Sequence, residues 1–458
     1  MIGSMMTIEK TPKILVSVIV PVWNPGPGIS RCIESLQNQT LKEIEMIFVD
    51  DCGTDDSMDK VRAAAAEDTR IRIIVNEENI GAGLSRNKGI EAARGEYLSF
   101  VDPDDYVSPL FLELLYTKAY RNKTDIVKGT VVLEKEDGTC IQKAKNLNHF
   151  IQEMISKGAP LFIAFTNEHQ SAIYRKELMA SDLVRYGTSA RGEDSTFLLK
   201  ACFVAGSFGV ADSARYYLCE RKNSAMHTVE VTHQDAVLKA IHEQIDFILH
   251  YLPGNTWGKE YLKNRFVFHI NETGKYEKNP DNDAMLSSYA QGIRSELLRL
   301  PYHEQLAENK FTIYALLKHG CLLPDAPYYM DWESTCSAEK NVKLLEQWVD
   351  YYRANPKEKD ICKKDLLNVL ARARIVTMKR ELFSFCKEGC YDEKVLLDRQ
   401  IKRLPVKLRV QALPVELKTT MTVLKAVAQN TLYKMHKGRF ESQSYRFYTK
   451  GQPNGQEL

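Results

Sequence analysis

The sequence predicts an α/β fold, with a doubly wound, mostly parallel sheet followed by a helical C-terminal domain. Three observations carry that expectation. Strand and helix patterns alternate through the first half of the chain. The strand text is continuously apolar, as in strands buried on both faces. After about Ala225 only helical spacing remains.

Each element has its own warrant. The run "ILVSVIV" from Ile14 to Val20 is β-branched and reads as the first strand, broken by "PVWNPGPG". Ile29, Cys32, Ile33 and Leu36 follow at helical spacing. "EMIFVD" is a second strand ending at Asp50 and Asp51, "DDSMDKVRAAAAED" a helix and "RIRIIVN" a third strand. "GLSRNKGIEAARG" predicts a helix closed by Gly95. "EYLSFVD" is a fourth strand, and Ser108-Pro109 predicts the start of another helix, with serine as N-cap and proline in the first turn. Further on, Val237, Ile241, Ile245 and Ile248 mark a helix, as do "AMLSSYAQGIRSELLRL" and "NVKLLEQWVDYYRA".

The expected organisation is an N-terminal tail over 1–13 and an α/β domain over 14–228. That domain divides into a nucleotide-binding half (14–105) and an acceptor half (106–228). A helical domain follows over 229–400, then a basic segment over 401–458. Residues 401–440 carry nine Lys or Arg against one acid, Glu416, a local balance of +8, with apolar residues interleaved. Such a surface suits anionic lipid, a partner subunit or plain solvent.

Bulk properties exclude some classes. Apolar residues are 44% and charged residues 27%, as in a soluble globular protein. A net charge of +2 gives no support for nucleic-acid binding. The ten cysteines include no C-x-x-C pair, and Cys386 and Cys390 come nearest. The first residues lack an export signal, so reduced thiols in the cytoplasm are expected. No apolar run reaches the roughly 18 residues of a spanning helix.

Ligands in doubly wound sheets bind beyond the C-terminal strand ends. Three such ends carry polar text: Trp23-Asn24, Asp50-Asp51 and Asp102-Pro103-Asp104-Asp105. Carboxylates crowded at a strand end repel, and a Mg²⁺ or Mn²⁺ ion with substrate phosphates would relieve them. The same text also suits a turn and a helix cap. Asp51 suits a base N–H or a ribose hydroxyl, or else a turn whose Asp55 or Asp56 caps the next helix. Gly81 and Gly83 suit a backbone approach to phosphate, with Arg86 balancing its charge, or an ordinary loop. Glu193 and Asp194 precede a helical pattern, as a general base or as helix-capping acids.

Together, "VSVIVPVWN", "SLQNQTLKEIEMIFVDDCGTDDS", "NIGAGLSRNKGIEAARGEYLSFVDPDD" and "GED" resemble the family 2 glycosyltransferases of GT-A, Rossmann-like fold, over roughly Leu15 to His227. The resemblance implies roles residue by residue. Pro21 and Trp23 cradle the nucleotide base, with Trp23 where tyrosine is common. Asp51 reads uracil, Asp102 contacts the ribose or the metal shell, and Asp104 binds the metal. Asp105 orients the loop, Asp194 is the catalytic base and Glu193 its rival. In "ERKNSAMH", Arg221 and Ser224 reach the diphosphate and His227 completes the metal shell.

The implied activity is an inverting, Mn²⁺- or Mg²⁺-dependent transfer of one sugar. A nucleotide diphosphate sugar, UDP expected, gives it to a hydroxyl of a glycan or lipid-linked acceptor. The expected setting is polysaccharide biosynthesis at the inner membrane face. The missing Q-x-x-R-W motif argues against a processive synthase, and the arginine-free "PVWNPGPG" against a nucleotidyltransferase. A non-catalytic scaffold of the same fold is the alternative.

Overall fold

A computed structural model describes residues 13–142, 168–220, 231–273, 280–323 and 347–358. The described residues through Phe266, with Asp283–Leu306, make one compact unit. Val267–Asn282 and the described residues from Ala307 onward make another.

The first unit is built on four parallel strands: β1 (Val16–Val22), β2 (Ile44–Asp50), β3 (Ile71–Val75) and β4 (Tyr97–Phe100). Every residue of β1, β2 and β4 is buried, which explains their unbroken apolar text. Helix α1 (Gly28–Gln37) turns Ile29, Cys32, Ile33 and Leu36 into the core, and α2 (Ser57–Glu67) adds Met58 and Val61. Helix α3 (Ala82–Ala92) joins β3 to β4. The chain steps from β1 out to β3, then returns to the other side of β1 with β4. Doubly wound sheets commonly bind ligands at such a reversal point, beyond the strand ends. Val22 pairs with Asp50 and Ile19 with Phe100, so Trp23, Asp51 and Asp102 all leave the sheet at one edge.

The second half of the sheet is mixed. It holds β5 (Tyr106–Val107), β6 (Ile126–Glu134), β7 (Cys140–Gln142), β8 (Ala172–Arg175) and β9 (Phe208–Cys219), with helices α4 (Phe111–Asn122) and α5 (Glu193–Val204). The order is β3-β2-β1-β4-β8-β6-β9-β5, with β7 on β6. Strand β8 runs antiparallel to both β4 and β6, while β9 is parallel to β6 and antiparallel to β5.

Two local expectations are corrected. Helix α4 begins at Phe111 rather than at Pro109; its N-cap residue is Leu110, and the Leu112 N–H in its first turn donates to Gln39 Oε1. The Ser108 hydroxyl instead accepts the Arg215 N–H, so its oxygen ties β5 to β9. Helix α3 ends at Ala92 with Ala93 extended, so Gly95 is no helix cap. Its small size serves a close approach: a Cβ there would lie 2.5 Å from the Ser17 backbone nitrogen, and its N–H donates to the Ser17 hydroxyl.

Beyond β9 the described residues are helical. Helix α6 (Val231–Tyr251) buries Ile241, Ile245 and Ile248, and α7 (Thr256–Glu272) and α8 (Pro280–Leu298) follow. In the second unit, Phe311 packs against Trp348 at 5.3 Å between ring centroids. Among the described residues no helix is long and apolar enough to cross a membrane. The described cysteines are free thiols. The tail over 1–12, Cys386, Cys390 and the basic segment over 401–458 lie outside the described residues.

Gly95→Ala forces the methyl onto the Ser17 backbone, which cannot move without breaking the β1 ladder. It should cost about 1–3 kcal/mol, read as a fall in melting temperature. An unchanged melt would contradict the close approach.

Candidate active site at the strand ends

At the end of β1, Pro21 is buried opposite Val49, and Trp23 stands 57% exposed. The loop that follows is tied down by Asn24, whose Oδ1 accepts the N–H groups of Thr54 at 2.6 Å and Asp55 at 3.2 Å. Asp55 in turn accepts the Gly26 N–H. An exposed aromatic side chain therefore precedes a braced turn.

Asp51 is buried, and its carboxylate organises the β3–α3 loop. Oδ1 accepts Asn76 Nδ2 at 2.8 Å and the Ile80 N–H at 2.9 Å, and Oδ2 accepts the Gly81 N–H at 2.9 Å. A carboxylate offers about four lone-pair sites. Three are occupied by the protein's own donors, which leaves one for a ligand.

The acidic turn after β4 divides by burial. Asp105 lies inside, accepting the Tyr216 hydroxyl at 2.8 Å and the Cys219 N–H at 2.9 Å. The Asp102 N–H donates to the same Tyr216 oxygen at 3.0 Å. Burial pushes the Tyr216 phenol well up, so it stays a donor. Asp105 thus folds the turn, while Asp102 and Asp104 remain half-buried at its surface.

Arg86 joins this turn to the acids of α5. Only 6% of its side chain is exposed. Nη2 donates to Asp102 Oδ1 at 2.8 Å and Nη1 to Glu193 Oε1 at 3.2 Å, with the guanidinium 5.2 Å from the Tyr186 ring centroid. Desolvation opposes its charge, but Asp102, Tyr186 and Glu193 outweigh that and hold it protonated. Sequence reasoning set Arg86 against a phosphate; the structure gives two of its nitrogens to carboxylates 16 and 107 residues away.

Glu193 and Asp194 occupy the first turn of α5. Desolvation and then the Asp194 charge raise the Glu193 carboxyl, while Arg86 pulls it down. Asp194 is also raised by desolvation, against the Ser195 N–H at 2.7 Å and the charges of Arg265 and Arg86. Raised carboxyls held near two guanidinium groups suit proton uptake. Gly83 on α3 permits this packing, since a Cβ there would sit 3.1 Å from Glu193 Cγ.

The structure therefore brings Asp102, Arg86, Glu193 and Asp194 together, with Asp104 on the same turn as Asp102. Arg221, Ser224 and His227 lie outside the described residues. Among the described residues no three His, Cys, Asp or Glu side chains group as a metal cage. The hard oxygens of Asp102 and Asp104 match a Mg²⁺-type ion, which commonly takes one or two carboxylates and completes its shell with phosphate and water. Sequence reasoning missed Tyr216, Tyr186, Asn87 and Arg265. Tyr216, Tyr186 and Arg265 sit outside the acidic and glycine-rich text; Asn87 sits inside it, beside Arg86, but its partner Tyr186 lies 99 residues away.

Comparison with known proteins agrees with this architecture. Residues 17–181 match glycosyl transferase family 2. The chain is 33% identical over 249 residues to the uncharacterized glycosyltransferase EpsJ of Bacillus subtilis, covering 52% of this chain and 70% of that protein. It is 32% identical over 223 residues to the poly(ribitol-phosphate) beta-glucosyltransferase of Bacillus spizizenii, covering 47% of this chain and 34% of the relative. Among solved structures, S. aureus TarS 1–349 in complex with UDP-GlcNAc aligns with a TM-score of 0.49 at 21% identity, over 66% of this chain and 88% of that one. Taken with the strand-end site, the match along most of the length of EpsJ shows that this chain belongs to glycosyl transferase family 2 and is a glycosyltransferase.

Proposed function

We propose that the protein transfers a single sugar, with inversion, from a UDP-sugar to a hydroxyl of a polymer or lipid-linked acceptor, in bacterial polysaccharide assembly. One observation carries the reading: a single guanidinium, Arg86, is bonded to both Asp102 of the acidic turn and Glu193 of the acid pair. Donor-side and acceptor-side carboxylates thus share one site. The poly(ribitol-phosphate) relative, of which the chain spans about a third, supports a polymeric acceptor.

In this reading Trp23 stacks on the base and the remaining lone pair of Asp51 accepts from it. Asp102 and Asp104 would hold a divalent cation at the diphosphate. The cation, when bound, serves as a Lewis acid toward the leaving phosphate. Asp194 takes the proton from the acceptor hydroxyl as that oxygen bonds to the anomeric carbon. The bond to the diphosphate breaks on the opposite face, so one displacement inverts configuration. Glu193, tied to Arg86, holds the first turn of α5 in place beside it. The basic residues of 401–440 suit contact with an anionic membrane surface that presents a lipid-linked acceptor.

Screening UDP-sugars with Mn²⁺ for donor hydrolysis or transfer identifies the donor. With that donor, Asp194→Asn should lower kcat by about 10²–10⁴-fold while donor binding persists; wild-type turnover would remove Asp194 as the base. Asp104→Ala should abolish the Mn²⁺-dependent part of UDP affinity in a calorimetric titration. Unchanged affinity would remove Asp104 from the metal site.

A further inference from the structure

Arg86 has a neighbour on α3 that no part of the proposed chemistry uses. The Asn87 side-chain amide pairs with the main chain of Tyr186 in both directions. Its Nδ2 donates to the Tyr186 carbonyl at 3.0 Å, and its Oδ1 accepts the Tyr186 N–H at 3.0 Å. An amide used this way acts as a strand neighbour would, fixing one residue of the segment that leads into α5.

The Tyr186 ring touches the parts that must be aligned. It stacks on Phe197 at 4.1 Å between centroids with planes 1° apart. Phe197 lies four residues after Glu193 on α5, so the two share a helix face. The same ring meets Phe100 edge-on at 5.4 Å, two residues before Asp102. It also lies beneath the Arg86 guanidinium. The Tyr186 hydroxyl is buried without a hydrogen-bond partner, so the ring is the working part. Neither Asn87 nor Tyr186 is hydrogen-bonded through its side chain to an acid of the site.

We propose that Asn87 and Tyr186 are positioning residues: a brace that sets the Glu193–Asp194 pair against the acidic turn. The proposal rests on the reading of that pair as the seat of the base. Its physical sense is geometric, because a displacement near 1 Å costs roughly 10²-fold in rate.

The test uses the full-length protein, Mn²⁺, and UDP-glucose or UDP-N-acetylglucosamine, whichever the wild type turns over. Asn87→Ala and Tyr186→Leu, scored per folded molecule, should lower kcat by about 10–100-fold with little change in donor KM. Tyr186→Phe should keep wild-type kcat. In an Asp194→Asn background, Asn87→Ala should add no further loss. Wild-type kcat in Asn87→Ala, a loss confined to KM, or a full further loss in that background would each overturn the brace. Should Asn87→Ala fail to fold, Asn87→Asp, which keeps the acceptor to the Tyr186 N–H, takes its place. Should Asp194→Asn itself turn over normally, the base assignment fails, and amide exchange then judges the brace. Faster exchange over Glu193–Phe197 in Asn87→Ala supports it, and unchanged exchange overturns it.

Discussion

A guanidinium set between two carboxylates inside the protein governs the arrangement of this site. A buried ion loses several kcal/mol of hydration, recovered only by well-placed opposite charge. Arg86 meets Asp102 and Glu193 at hydrogen-bond distance, and it cannot leave either without stranding charge. Removing one partner of such a group typically costs 3–5 kcal/mol. The nucleotide half and the acid pair are thereby held in one register, although 107 residues separate Arg86 from Glu193.

The sheet explains why these groups meet. Parallel β1, β2 and β4 deliver Trp23, Asp51 and Asp102 to one edge, where the strand order reverses. Two carboxylates give up much of their freedom to build it. Asp51 holds the β3–α3 loop and Asp105 holds the acidic turn through Tyr216 and Cys219. Asp102 and Asp104 remain half-buried at the surface of that turn.

Much of the first half was legible in the sequence, because a strand buried on both faces must be apolar throughout and β1 and β2 are. The polar residues at their ends stood out for the same reason. The order of the second half was not legible: nothing in "AIYR" says that β8 slots antiparallel between β4 and β6. Ser108 read as a cap because serine oxygens commonly accept amide N–H groups, and it does accept one, but from β9 rather than from its own helix. The sequence shows the charge of Arg86 but not its partners, Asp102 and Glu193. Asn87 and Tyr186 carry no local signal, since their value lies in contacts made 99 residues apart.

The central claim is that Arg86 joins the acidic turn to the Glu193–Asp194 pair. The pH dependence of kcat in wild type and Arg86→Met tests it directly. Desolvation raises Glu193 and Asp194, and Arg86 lowers both, as Arg265 lowers Asp194 while Asp102 raises it. The base works deprotonated, so the rate should climb with pH on an acid limb above the ordinary carboxylate range. Loss of Arg86 removes a lowering charge, so that limb should move to higher pH. A limb that stays in place, or moves to lower pH, would contradict the account.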